Sequence, residues 1–462
     1  MSSTKIVSGG YAFRCNDRKE AGPLNIAIRA NLVVDLSKDL EGLRRKYPEA
    51  DIVDAADKII LPTFFNAHFH PESIVCRCAE PRKSISQWRD EPLLNVESAL
   101  EAQDEAFFEK LYHLAFFSSL QCGVSGLAFA LVGDEAGVRG VYSALKLTGV
   151  DAAVFAESDS QTAFLKRVID RHLKLGSFVP YQKDLTLFGL SAVARNNTDS
   201  PGWIMAHADE SNEDFLSTKS NFNSGIIQLL KKGKLLGGTT ILVGLNAAQP
   251  NSLKTAKTEN AKVVLTPTGL TLQSFKSIRN AFDKFAIGSD WRTPGLFGEM
   301  KRLLEFGVPP YDVLSCATRY GADLFNLGSR LGSIESGKLA DFTFVDMRKL
   351  SARRIDALTP AEAAAALIED YTDSDVSDVM LDGEFVYKDR KLLLYDCNDL
   401  IREEMELTGT ILKYRETVVS DVKNSSPKVP MTREEENSEI EPSRGKVELP
   451  KSTRKVFGED EI

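Results

Sequence analysis

IILPTFFNAHFHPE, residues 59–72, is an apolar run of strand length that stops at two histidines two positions apart. Residues two apart on a strand point to the same side, so the His68 and His70 imidazoles can converge on one ion. Taken alone, the pair reads equally well as two hydrogen-bonded histidines, and its setting argues for more. Downstream, apolar runs of strand length recur between helical patterns as far as residue 337: SGLAFALV, AAVFA, LTLFGLSAV, WIMAHA, TTILVGL, KVVLT and FAIGSD. The helical patterns between them include DEAFFEKLYHLAFFSSLQCG and TAFLKRVIDRHLKLG. Strands alternating with helices over residues 61–337 imply an α/β fold with a parallel sheet, and the length suits a TIM-like (β/α)8 barrel. A doubly wound sheet is the rival. It is disfavoured because no Gly-rich phosphate turn is present.

Outward from the barrel the texture changes. Residues 1–60, with NIAIRANLVVDL and DIVDAADKIILP, read as short strands with turns, the first part of a small β-sandwich. Residues 338–395 return to that texture in ADFTFVDM and DVMLDGEFVYKDRKLLLY, where Asp-Gly marks a hairpin, and form its second part. TPAEAAAALIEDY lies between those strands as a helix. Residues 396–462 are expected to be a helical extension followed by a disordered tail, because the last forty or so are rich in Pro, Ser, Glu and Lys.

Bulk properties restrict the function. With 43% hydrophobic and 27% charged residues the chain has the composition of a soluble globular protein. A net charge of -9 argues against nucleic acid or an anionic membrane as partner. The N-terminus has no signal-like apolar stretch and no run approaches a membrane span, so a cytoplasmic location is the default. The six cysteines form no Cys-x-x-Cys pair and are expected to be reduced.

The chain has five histidines. His113 and His172 fall within helical patterns and read as ordinary packing residues. His207 ends the run WIMAHADE, and Asp290 ends FAIGSD. In a barrel the active site lies at the C-terminal ends of the strands, where the His68–His70 pair also sits. His68, His70, His207 and Asp290 thus make an N3O set suited to one divalent metal, zinc first and iron as the alternative. Glu210, three residues beyond His207, is placed to be a general acid/base.

NAHFH, HADE and IGSD, in this order and spacing, resemble the amidohydrolase superfamily of metal-dependent hydrolases. ATRYGADLFNLGSRLGSIESGKLADFTFVD is similar to that superfamily's passage from barrel back to β-sandwich, and the resemblance covers roughly residues 5–392. Within it the chain looks most like the branch of aminohydrolases and chlorohydrolases acting on ring heterocycles. The resemblance implies a single metal held by three histidines and an aspartate, and a metal-activated water. Asp290 would take the water's proton and Glu210 would protonate a ring nitrogen, so that an exocyclic amino group is replaced by a carbonyl.

The same comparison exposes departures. Members of that branch carry a histidine at the end of the sixth strand, where TTILVGLNAAQP has none; Gly244 or Asn246 falls near the place. LTLFGLSAVARNNTD, taken as the fourth strand, offers neither a substrate-facing histidine nor a following lysine for a bridged two-metal site. The usual Pro-Gly before the first motif is Pro62-Thr63. Two readings follow: an active C–N hydrolase, or a catalytically impaired member that serves as a binding or scaffold protein. The expected partner is a small-molecule substrate, and a homodimer is the default assembly on frequency. Trp291, Arg195 with Asn196, and Asn246 are candidate substrate contacts. The segment holding Pro81-Arg82-Lys83 and Gln87, Trp88 and Arg89 is the candidate lid.

Overall fold

The computed structural model describes residues 4–76, 99–100, 102–167, 172–179, 185–186, 189–191, 193–194, 202–349 and 355–425. The chain opens with β1 (Thr4–Phe13), β2 (Ala21–Arg29), β3 (Leu32–Ser37), β4 (Asp51–Asp54) and β5 (Lys58–Pro62). One residue later it enters the barrel strands β6 (Phe64–Asn66), β7 (Val124–Ala130), β8 (Asp151–Ala156) and β9 (Leu173–Val179). The barrel continues through β10 (Trp203–Ala208), β11 (Thr240–Gly244), β12 (Lys262–Leu265) and β13 (Ala286–Ile287). The chain then returns to the small sheet as β14 (Phe342–Asp346), β15 (Val376–Leu381), β16 (Glu384–Lys388) and β17 (Lys391–Leu392).

The eight barrel strands are parallel and follow sequence order from β6 to β13. The two ends of this sheet meet. Ala67 N donates to Ile287 O at 2.9 Å and Asp290 N to His68 O at 3.0 Å, which closes the barrel beside the first motif. Alternation along the strands sorts the side chains. On β10, Met205 joins the apolar interior while Ile204 and Ala206 face the surrounding helices. The expected (β/α)8 architecture is thus present.

Strands from both ends of the chain share one nine-stranded mixed sheet, in which the long β1 pairs with β2 on one edge and with β4 and β5 on the other. Its apolar side gathers Val7, Ile26, Ile60, Phe342, Phe344 and Met380 into one cluster. The Asp-Gly turn is real: Asp382 and Gly383, both with positive φ, join β15 to β16. The TPAEAAAALIEDY helix spans Pro360–Asp370 and starts at a Thr359–Glu362 capping box.

One strand assignment fails. The fourth barrel strand is Leu173–Val179, not LTLFGLSAV, of which residues 189–191 and 193 are helical. The helix expected over TAFLKRVIDRHLKLG ends at Leu165, and His172 sits just before β9 with Nδ1 3.2 Å from Asp151 Oδ1. Thr63 needs no glycine geometry, because its φ is not positive; its hydroxyl instead accepts from Ser125 Oγ at 2.6 Å. The helix expected after β17 runs Cys397–Ser425, and the tail beyond it lies outside the described residues. Among the described residues no helix is long and apolar enough to cross a membrane, and Cys15, Cys122, Cys316 and Cys397 form no disulfide.

Candidate metal centre

Four strand ends deliver the site. His68 and His70 follow β6, His207 lies near the end of β10, and Asp290 follows β13. His207 is two residues beyond inward-facing Met205, so alternation turns its ring into the barrel. All four groups are buried, at 0%, 2%, 4% and 5% exposure for His68, His70, His207 and Asp290.

The motif residues that are not ligands hold this arrangement. Asn66 Nδ2 donates to Ser289 Oγ at 2.7 Å and to Pro294 O at 2.9 Å, and its Oδ1 accepts from Ser289 N at 3.1 Å. The first and last motifs are thereby zipped together. Gly288 permits the approach, since a Cβ there would lie 2.4 Å from His68 O. Asp290 adopts φ 55, a left-handed turn that costs energy for a non-glycine residue and redirects the chain after β13.

The donor atoms crowd together. His68 Nε2 and His70 Nε2 are 3.2 Å apart, and Asp290 Oδ1 lies 3.3 Å from the first and 3.4 Å from the second. Asp290 Oδ1 nonetheless has no hydrogen-bond partner among the described residues. A tetrahedral ion with bonds of about 2.0–2.1 Å places its ligand atoms about 3.3–3.4 Å apart, which is this spacing. With His207 included, the four ligand atoms lie within 4.8 Å of one another. The donor set therefore fits a divalent cation.

Electrostatics agree. Burial would raise the Asp290 carboxyl, but His68 and His70 hold it well below the usual carboxylate range. Burial lowers the His68 imidazole to about 4. Burial also works against charge on His70, yet Glu72 and Asp290 outweigh it and raise it to about 10. Two of the three rings carry a carboxylate on Nδ1: Glu72 Oε1 lies 3.0 Å from His70, and Glu210 Oε1 lies 2.5 Å from His207. In each ring the carboxylate lies on Nδ1, and Nε2 is left as the nitrogen for the site.

The departures acquire a geometry too. Val179 ends the true fourth strand, and the Phe178 ring packs 5.6 Å from His207. An apolar side chain thus packs against His207 near the end of the fourth strand. At the sixth strand, a Cβ on Gly244 would lie 2.5 Å from Glu210 Cγ. The residue that lacks a side chain makes the room in which Glu210 lies.

Of the candidate substrate contacts, Trp291 stacks on His70 with centroids 4.1 Å apart and planes 9° apart. Asn246 Nδ2 donates to Gly269 O at 3.0 Å, tying the loops after β11 and β12. Arg195, Asn196, the Pro81-Arg82-Lys83 run, Gln87, Trp88 and Arg89 lie outside the described residues. Sequence reasoning missed Asn66, Glu72, Gly288 and Phe178; only Glu72, two residues after His70, left a readable signal.

Comparison with known proteins follows the same lines. Residues 178–386 match the model of the amidohydrolase family. A 5-methylthioadenosine/S-adenosylhomocysteine deaminase of Pyrococcus abyssi is 22% identical over 443 residues, 88% of this chain and 99% of the relative. A 5'-deoxyadenosine deaminase of Methanosphaera stadtmanae is 23% identical, covering 82% of this chain and 92% of its own. Among solved structures, a zinc-bound adenosine deaminase from Xanthomonas campestris superposes with a TM-score of 0.77 at 17% identity, over 89% of this chain and 99% of that one. These likenesses extend over both the barrel and the small sheet.

Proposed function

We propose, for a chain that belongs to the amidohydrolase family, that it hydrolyses the bond between a ring carbon and an exocyclic amino group of a small heterocycle. His68, His70, His207 and Asp290 would hold one divalent metal, with zinc the first choice. The observation that carries this reading is the triangle of two imidazole nitrogens and one carboxylate oxygen at 3.2–3.4 Å, in which Asp290 Oδ1 has no hydrogen-bond partner among the described residues.

Bound there, such an ion supplies the Lewis acidity that makes water a nucleophile at neutral pH. Asp290, buried and held ionised, accepts the proton that water gives up. Glu210, 2.5 Å from His207 on a side chain that is 16% exposed, would act as the acid towards substrate. It protonates the ring nitrogen beside the attacked carbon; Asp290 then passes water's proton to the departing amine, and Glu210 regains a proton from the added hydroxyl as the ring carbonyl forms. The balance is one amino-heterocycle and one water consumed, one ring carbonyl and one ammonia formed. Adenine nucleosides head the list of substrates to try, because the relatives named above are deaminases of that class.

One observation favours the second reading, that of an impaired binding or scaffold protein: β11 ends at Gly244, with no imidazole. Metal analysis of the purified chain, with an ammonia-release screen of aminated heterocycles and Glu210→Gln as control, separates the two. Stoichiometric metal and Glu210-dependent turnover support the hydrolase. A chain that cannot be loaded with metal and turns over nothing sinks it.

A further inference from the structure

The three imidazoles are aimed by different means. His68 Nδ1 faces the Met205 sulfur at 3.3 Å, a weak acceptor. His207 Nδ1 faces Glu210, which already belongs to the proposed chemistry. His70 Nδ1 faces Glu72, a buried carboxylate with no part in that chemistry. We propose that Glu72 is a positioning residue of the metal centre: it fixes His70 through Nδ1 so that Nε2 is the nitrogen presented to a divalent ion. The proposal rests on the metal-holding reading given above.

Further contacts make the aim rigid. Trp291 stacks face to face on the His70 ring, which removes tilt, while the Glu72 hydrogen bond removes spin about the ring's own axis. Glu72 itself is anchored, because its carbonyl accepts from Cys76 N at 3.0 Å and Val75 N at 3.2 Å, opening the helix Ser73–Cys76. Ser73 Oγ then donates to Arg292 O at 3.1 Å, which ties this turn to the segment after Asp290. Glu72, Trp291 and Asp290 therefore move as one piece with the ring they hold.

The second Glu72 oxygen shows that packing is not the reason for the residue. Glu72 is 6% exposed, and Oε2 makes no hydrogen bond among the described residues. A buried carboxylate oxygen without a partner destabilises a fold. Next to an ion site it adds negative charge where a cation would sit, and it makes the His70 imidazole a better donor. The site gains in metal affinity what the fold loses in stability.

The test is the zinc affinity of the full chain and of Glu72→Ala and Glu72→Gln, measured by competition with a chromogenic chelator. The melting temperature of the metal-stripped proteins is recorded beside it. Glu72→Ala is expected to weaken zinc binding about 10–100-fold, with Glu72→Gln between it and wild type, since Gln keeps the acceptor but not the charge. The metal-stripped variants should melt no lower than the stripped wild type. Should Glu72→Ala fail to fold, the isosteric Glu72→Gln decides alone. Wild-type zinc affinity in Glu72→Gln and in any folded Glu72→Ala would overturn the proposal. A wild-type chain that binds no zinc overturns instead the reading beneath it.

Discussion

The two ends of the barrel use the same residue types to opposite effect. At the end where strands begin, several polar groups are paired off. His172 meets Asp151 at 3.2 Å, Thr343 Oγ1 donates to Gly123 O at 2.7 Å, and Asp341 Oδ1 accepts from Asp382 N at 2.7 Å. At the end where strands finish, three histidines and an aspartate crowd together, and Asp290 Oδ1 and Glu72 Oε2 lack any hydrogen bond among the described residues. Buried polar groups are normally satisfied, so the end that leaves them bare is the end with a task. A histidine beside an aspartate is a paired contact at one pole and part of a four-residue cluster at the other.

This contrast can be broken most severely at the finishing end. Asp290→Ala or His207→Ala should abolish metal retention and turnover together, read by elemental analysis and an ammonia assay. A variant that keeps full metal content would remove that residue from the ligand set. Next in size, Glu210→Gln should lower kcat about 10²–10⁴-fold while metal content stays at the wild-type level. Loss of metal in step with rate would instead reduce Glu210 to a support for His207.

The starting end should answer with stability alone. Asp151→Ala strips His172 of its acceptor and should cost about 1–3 kcal/mol in denaturant unfolding, with kcat unchanged. A fall in kcat at undiminished stability would mean that the two poles are not separate. The smallest effect concerns pH. Burial pushes the Asp341 carboxyl from its ordinary 3.8 up to about 7, the Asp382 N–H opposing and Asp151 adding. Between about pH 4 and pH 7 the folded chain therefore holds a proton that the unfolded chain has released, so this group's contribution to stability falls as pH rises. Asp341→Asn should raise the melting temperature more at pH 8 than at pH 4, and an equal shift at both would show that Asp341 does not titrate in this window.

The four-residue cluster was legible because it is written in local patterns. A two-residue spacing after an apolar run, and a His or Asp at a strand end, need only strand periodicity and the rule that barrels work at their C-terminal face. Its supports were not legible. Asn66 reaches Ser289 across 223 positions, and Gly288 matters only because His68 is folded against it. The fourth strand was misplaced because LKLGSFV carries Lys174 and Gly176 in a stretch whose leucines also fit a helix, whereas GLSAV looks more like a buried strand. Burial decided the matter: Phe178 and Val179 are inside. The missing sixth-strand histidine was visible as an absence, but only the structure places Glu210 against Gly244.

The central claim is that His68, His70, His207 and Asp290 surround one divalent ion. Anomalous diffraction at the zinc edge from crystals of zinc-loaded protein tests it most directly. One peak, with all four ligand atoms about 2.0–2.2 Å away, is the predicted result. No peak there, a peak elsewhere, or two peaks bridged across the barrel would contradict it.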